Sequence, residues 1–171
     1  MISRPADNEY ASYYGKYISK VPDSDLLNFL DLQPDEFHGL VNDLSDEQAS
    51  QPPAPGKWSV KQVLGHICDG ERVFAYRALR FARSDKTDLE GFAQDDYVAS
   101  ANSNARSATE LLAELTSVRR ATLSLLESLS EAETIRTGVA SGNKVSVRAL
   151  AYIIAGHAQH HLELLRKQFG G

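Results

Sequence analysis

Residues 156–165 read GHAQHHLELL and place three of the chain's five histidines within five positions. His157 and His161 are separated by one helical turn. On an α-helix that spacing stacks two imidazoles on one face, where two neutral ring nitrogens can hold one divalent ion. His160 falls on the flank of that face. Two ligands rarely suffice for a protein metal site, so a third has to come from elsewhere. His66, in VLGHICDGERVF, lies at the edge of an apolar face formed by Val60, Val63, Leu64, Ile67, Phe74 and Ala78. It is the stronger partner, because His38 follows Pro34 in a less regular segment. Three imidazoles without thiolate or carboxylate leave a coordination position open, which is the catalytic rather than the closed structural pattern. Zinc or nickel, and after them iron or manganese, suit such ligands.

Other polar residues carry competing readings. Glu71 falls near the middle of the same apolar face, where an unpaired carboxylate is costly. It is either buried against an arginine or a loop backbone, or it serves as a general base or outer group beside the metal. His160 either orients a ligand, lines the entrance or faces solvent. These two are the candidate catalytic residues. Asp69 reads as solvated, and Arg72, Arg77, Arg80 and Arg83 as a solvated basic face or a subunit contact. Tyr76 and the cluster Tyr10, Tyr13 and Tyr14 read as packing. Cys68, the only cysteine, excludes an internal disulfide and reads as a small buried apolar residue.

Four segments must position these groups. Ser59 and Gln62 form a capping box ahead of a helix running to Phe81 or Ala82, with Trp58 and Val63 placed as a staple. Ser146 caps the last helix, which runs to about Gln168. Ser107 and Glu110 open a third, ending near Leu129, and a first covers about residues 24–43 with a kink or break expected at Pro34. On the last helix, Val147, Leu150, Ala151, Ile154, Ala158 and Leu165 share the apolar side with His157 and His161, while Tyr152 and Glu163 point away. TGVASGNKV has the turn chemistry of a small hairpin, and the 84–106 connection is long enough to cover a pocket. His66 lies about 10 Å from the start of its helix, and the His157/His161 midpoint about 13 Å from the end of the other. Those levels coincide if the two helices are antiparallel with aligned ends; a parallel pair would mismatch by roughly 9 Å.

The bulk of the chain agrees with an all-α, four-helix bundle in one domain over 1–171. Apolar residues make up 42% and charged residues 24%, as in ordinary globular proteins. A net charge of −5 without a basic block gives no footing for nucleic acid. No run of eighteen apolar residues suggests a membrane span, no secretory signal is recognisable, and the cytoplasm is the expected compartment. Ala158 stands where a zinc protease helix needs glutamate, inward glutamates of the di-iron type are missing, and no Walker or Rossmann glycine pattern occurs.

The stretches APGKWSVKQVLGHICDGERVFAYRALRFAR, GFAQDDYV and VSVRALAYIIAGHAQHHLELLRKQF, with PDSDLLNFL before them, resemble the DinB or YfiT-like superfamily. The resemblance implies an up-down-down-up bundle and a divalent metal at His66, His157 and His161. It also implies either a thiol-dependent S-transferase, using a low-molecular-weight thiol such as bacillithiol or mycothiol, or a hydrolase. In both cases a metal-bound thiol or water would attack a small electrophilic substrate. The rival expectation is a metal-binding or stress-response protein without turnover. Relatives commonly pair, so a homodimer is expected. Pro34 departs from the family pattern.

Overall fold

Each long helix begins where an oxygen side chain accepts a backbone amide of the first turn. The computed structural model describes residues 2–169, so Met1, Gly170 and Gly171 of the expected 1–171 domain lie outside the described residues. Helix α1 (Leu26–Val41) is capped by Asp25, which accepts from Leu27 N at 3.0 Å. Helix α2 (Val60–Ala82) opens on the Ser59/Gln62 capping box, and α3 (Ala108–Glu127) on that of Ser107 and Glu110. In α4 (Val147–Phe169), Ala149 N donates to Ser146 Oγ at 3.0 Å. Each cap satisfies a backbone donor that has no partner within its helix.

Contacts between helices give their directions. Along α2, Trp58, His66 and Phe74 meet His161, then His157, so α2 and α4 are antiparallel. Arg72 pairs with Glu114 and Arg83 with Glu133 beyond the end of α3, so α2 and α3 run the same way. Gln33 bonds Ala155 O and Glu36 pairs with Arg166, which aligns α1 with α4. The order is therefore up-down-down-up.

Of the kink or break expected at Pro34, the break does not occur: α1 is continuous from Leu26 to Val41. Proline removes the amide that would have bonded the Leu30 carbonyl. Arg119 Nη1 donates to that carbonyl instead, at 2.5 Å, and to Gln33 Oε1 at 2.9 Å. Its Nε and Nη2 grip the two Glu71 carboxylate oxygens at 2.9 and 2.8 Å. Gln33 then donates to Ala155 O at 2.9 Å, so one closed polar network joins all four helices. Apolar clusters lie on either side, one containing Leu30, Phe81 and Ile153, the other Phe37, Leu64, Leu115 and Leu162.

Two further departures come from chain outside the long helices. Tyr152, expected to point away from the core, is buried. The N-terminal segment covers it, with the Arg4 guanidinium 5.2 Å from its ring centre. The 84–106 connection contains a helix, Gln94–Ser100, and its Leu89 pairs in parallel with Ala140 of the hairpin. That hairpin, β1 (Thr137–Ala140) and β2 (Asn143–Ser146), turns through Ser141 and Gly142 at φ of 52° and 72°. Two successive positive φ values are what a tight hairpin turn with the native strand twist requires.

Candidate metal centre

The antiparallel packing of α2 on α4 brings His66, His157 and His161 together. His66 Nε2 lies 2.9 Å from His157 Nε2, which lies 3.2 Å from His161 Nε2. One ring nitrogen from each falls within a sphere of mutual separations of 4.8 Å or less. All three side chains are buried, at 4, 5 and 8% exposure. No carboxylate or thiolate joins them among the described residues.

Burial governs their protonation. It pushes His66 down to about 4 and His161 to about 3, and holds His157 well below its ordinary value, helped there by repulsion from His161 and His66. The imidazoles are therefore neutral at pH 7, the form that ligates a metal. Hydrogen bonding alone fits the cluster poorly. His157 Nε2 faces two other Nε2 atoms, and one ring nitrogen, with either a single proton or a single lone pair, cannot make two well-directed hydrogen bonds along both lines. A cation satisfies all three lone pairs at once. With metal–nitrogen bonds of about 2.0–2.1 Å, a tetrahedral site has nitrogen–nitrogen edges of roughly 3.3 Å; the His157–His161 separation of 3.2 Å is close to this, and the His66–His157 separation of 2.9 Å is shorter.

Aromatic residues close the site. Trp58 sits with its ring centre 4.7 Å from His66 and 6.5 Å from His161, stacked on the latter. Its staple position gave no sign of this contact. Tyr17 meets His157 edge-on at 5.4 Å. It can approach because Gly156 carries no side chain: a Cβ there would stand 2.0 Å from the Tyr17 carbonyl oxygen. The N-terminal tyrosines thus do more than pack, since Tyr13, Tyr14 and Tyr17 line a cavity of about 290 Å³ that reaches His66 and His157. A second cavity, about 680 Å³, reaches His161 past Trp58 and Asp95.

The remaining candidates lie outside the histidine cluster. Glu71 commits both oxygens to Arg119, the buried pair that was one of its two sequence readings. His160 is half-buried on the flank, its ring 5.2 Å from His161, and burial lowers its pKa. Among the described residues the His38 ring has one hydrogen-bond partner, Thr116 Oγ1, at 3.5 Å. Cys68 is buried, and its thiol is pushed up to about 12 by desolvation. Asp69 is half-buried rather than solvated, and burial raises its pKa. The arginine run divides. Arg72, Arg80 and Arg83 pair with carboxylates, whereas Arg77, expected at the surface, is 3% exposed.

Residues 30–165 match the family model of the DinB superfamily. The chain belongs to that superfamily. It is 28% identical over 143 residues to a protein of Geobacillus kaustophilus, covering 80% of each chain, and 28% identical over 142 residues to one of Geobacillus thermodenitrificans, with the same coverage. The names of both DinB relatives propose a metal-dependent hydrolase. Among solved structures, YfiT from Bacillus subtilis superposes with a TM-score of 0.77 over 98% of this chain and 94% of that one, at 17% identity. It is described as a probable metal-dependent hydrolase with an unusual four-helix bundle topology. A mycothiol-dependent maleylpyruvate isomerase superposes with a TM-score of 0.66 over 90% of this chain and 63% of that one, at 9% identity. These two likenesses establish the fold. Among the described residues no helix is long and apolar enough to cross a membrane.

Proposed function

We propose that His66, His157 and His161 hold a divalent metal ion and that the protein is a metal-dependent enzyme acting on a small electrophile, by hydrolysis or by transfer to a thiol. The observation that carries this reading is the convergence of three buried, neutral imidazoles, with no carboxylate or thiolate among the described residues completing the set. A bound divalent ion would supply Lewis acidity there, lowering the pKa of a coordinated water or thiol and polarising the electrophile. The chain's own residues do the rest. Trp58 and Tyr17 fix the imidazole planes and keep bulk water from the ring faces. Phe74 and Gly70 shape the wall of the smaller cavity beside His157. The names of the Geobacillus relatives support hydrolysis, and the isomerase that shares the fold supports a thiol as the alternative nucleophile source.

The test begins with metal content, measured on untagged protein after purification and after reconstitution with zinc or nickel. About one ion per chain is expected, lost in His157→Ala and in His66→Ala with helical content unchanged. A wild-type protein that stays metal-free after reconstitution overturns the reading. Turnover of an activated ester and of an epoxide, each with and without a panel of thiols, then assigns the nucleophile. Absence of turnover by the loaded protein on every pairing would leave a metal-binding protein and reject the enzymatic part.

A further inference from the structure

A buried cation without a counter-charge stands at the far end of the smaller cavity. Arg77 is 3% exposed, yet no carboxylate pairs with it among the described residues. One nitrogen, Nη2, donates to Glu90 O at 2.8 Å and to Ser141 Oγ at 3.1 Å. The other guanidinium nitrogens make no hydrogen bond with the described residues, and neither is sealed from solvent-sized space. Arg77 lines the cavity of about 290 Å³ that it shares with His66 and His157. Among the described residues no aspartate or glutamate lines that cavity.

The register of α2 explains the alignment. His66, Gly70, Phe74 and Arg77 recur at helical spacing and all line the cavity. His66 and Arg77 are eleven residues apart, three turns, or about 16 Å of helix axis. A helical side chain leans towards the N-terminus, so Arg77 reaches back towards the histidines. Between them Gly70 leaves room, since a Cβ there would stand 3.3 Å from His157 Cε1, and Phe74 supplies an apolar wall with its ring centre 5.8 Å from the guanidinium carbon. Desolvating an unpaired charge is expensive unless something restores the lost interactions. The two bonds to Glu90 and Ser141 use one nitrogen of three and supply no negative charge. The N–H donors left on Nε and Nη1, beside an apolar wall, can donate to an oxyanion, which also supplies the missing negative charge.

We propose that Arg77 seats an oxyanion, a carboxylate or phosphate group of a small substrate, and so orients the electrophilic end towards the histidine centre. The role rests on the catalytic reading above, but the anion seat is measurable without it. Inorganic phosphate and acetate are titrated into chelator-treated, metal-free protein while the arginine side-chain Nε–H resonances are followed by NMR. The Arg77 signal, assigned by its loss in Arg77→Lys, is expected to shift saturably with at least one anion, while surface arginines move weakly and linearly. The stronger anion identifies the preferred group. Arg77→Met is expected to weaken that binding roughly tenfold or more and to retain the wild-type metal content. An Arg77 signal that fails to saturate with either anion, or moves no more than those of Arg72 and Arg83, overturns the proposal whether or not the protein turns over. If Arg77→Met does not fold, the wild-type titration alone decides. In an active preparation, Arg77→Lys should raise KM for a carboxylate-bearing ester and leave that for its neutral analogue unchanged; equal effects on both also overturn it.

Discussion

Arg119 and Arg77 are both nearly inaccessible, at 1 and 3% exposure, and they are buried in opposite ways. Arg119 has all three nitrogens engaged: two bonds to Glu71, one to the carbonyl orphaned by Pro34, and one to Gln33. Arg77 has a single nitrogen engaged, and by neutral acceptors only. The histidine cluster shares the second condition, since no carboxylate or thiolate among the described residues joins it. A polar group satisfied from within the chain serves the fold, whereas one left open in a cavity is available to a ligand. The bundle thus has a closed polar centre and an open one, and mutation can separate them.

The largest effect is expected at the closed centre. Arg119→Met leaves the Glu71 carboxylate buried without its partner and should cost about 3–5 kcal/mol in urea denaturation. Replacing Glu71 and Arg119 together by Leu and Met should recover much of that loss; failure to recover would mean that the Leu30 carbonyl, not the ion pair, dominates. At the open centre stability should instead depend on what is bound. Zinc at a hundred times its dissociation constant should add about 2.7 kcal/mol at pH 7.

In the metal-free protein, acid should act on the same residues. His66 and His161 have folded-state values lowered from 6.5 to about 4 and about 3, so below pH 6.5 the unfolded chain binds protons that the folded chain refuses. Stability should therefore fall as pH drops from about 6.5 towards 4, and His66→Gln should flatten the slope of the urea midpoint against pH. The smallest effect belongs to Arg77→Met. Two hydrogen bonds to neutral acceptors are lost while a buried charge is removed, and the net change should stay within about 1.5 kcal/mol. A loss as large as that of Arg119→Met would abolish the distinction between the two centres.

The open centre was half legible in the sequence. Helical period, the capping box at Ser59 and the cap at Ser146 located His66, His157 and His161, because a face and a level along the axis are local properties of a helix. Arg77 was legible only in part. It lies eleven residues after His66 on the same helical face, yet it reads with Arg72, Arg80 and Arg83 as a basic run, and its partners Glu90 and Ser141 come from chain outside α2. Tyr17, Tyr152 and Trp58 took on their contacts for the same reason: irregular chain packs over the helices in ways that no periodicity records. Pro34 misled in the other direction. Its orphaned carbonyl was compensated by a residue 89 positions away, a repair that only the tertiary structure displays.

The histidines that meet at 2.9 Å are 91 residues apart in the chain. A nascent α4 offers an ion only the weak two-toothed grip of His157 and His161, and the third tooth arrives when α2 has docked and a long loop has closed. The apolar clusters must assemble that contact before any ion can reward it. A metal held there would thus be a late passenger rather than a folding template, and which ion fills the site would depend on which one is in supply when the finished bundle first opens its cavities to solvent.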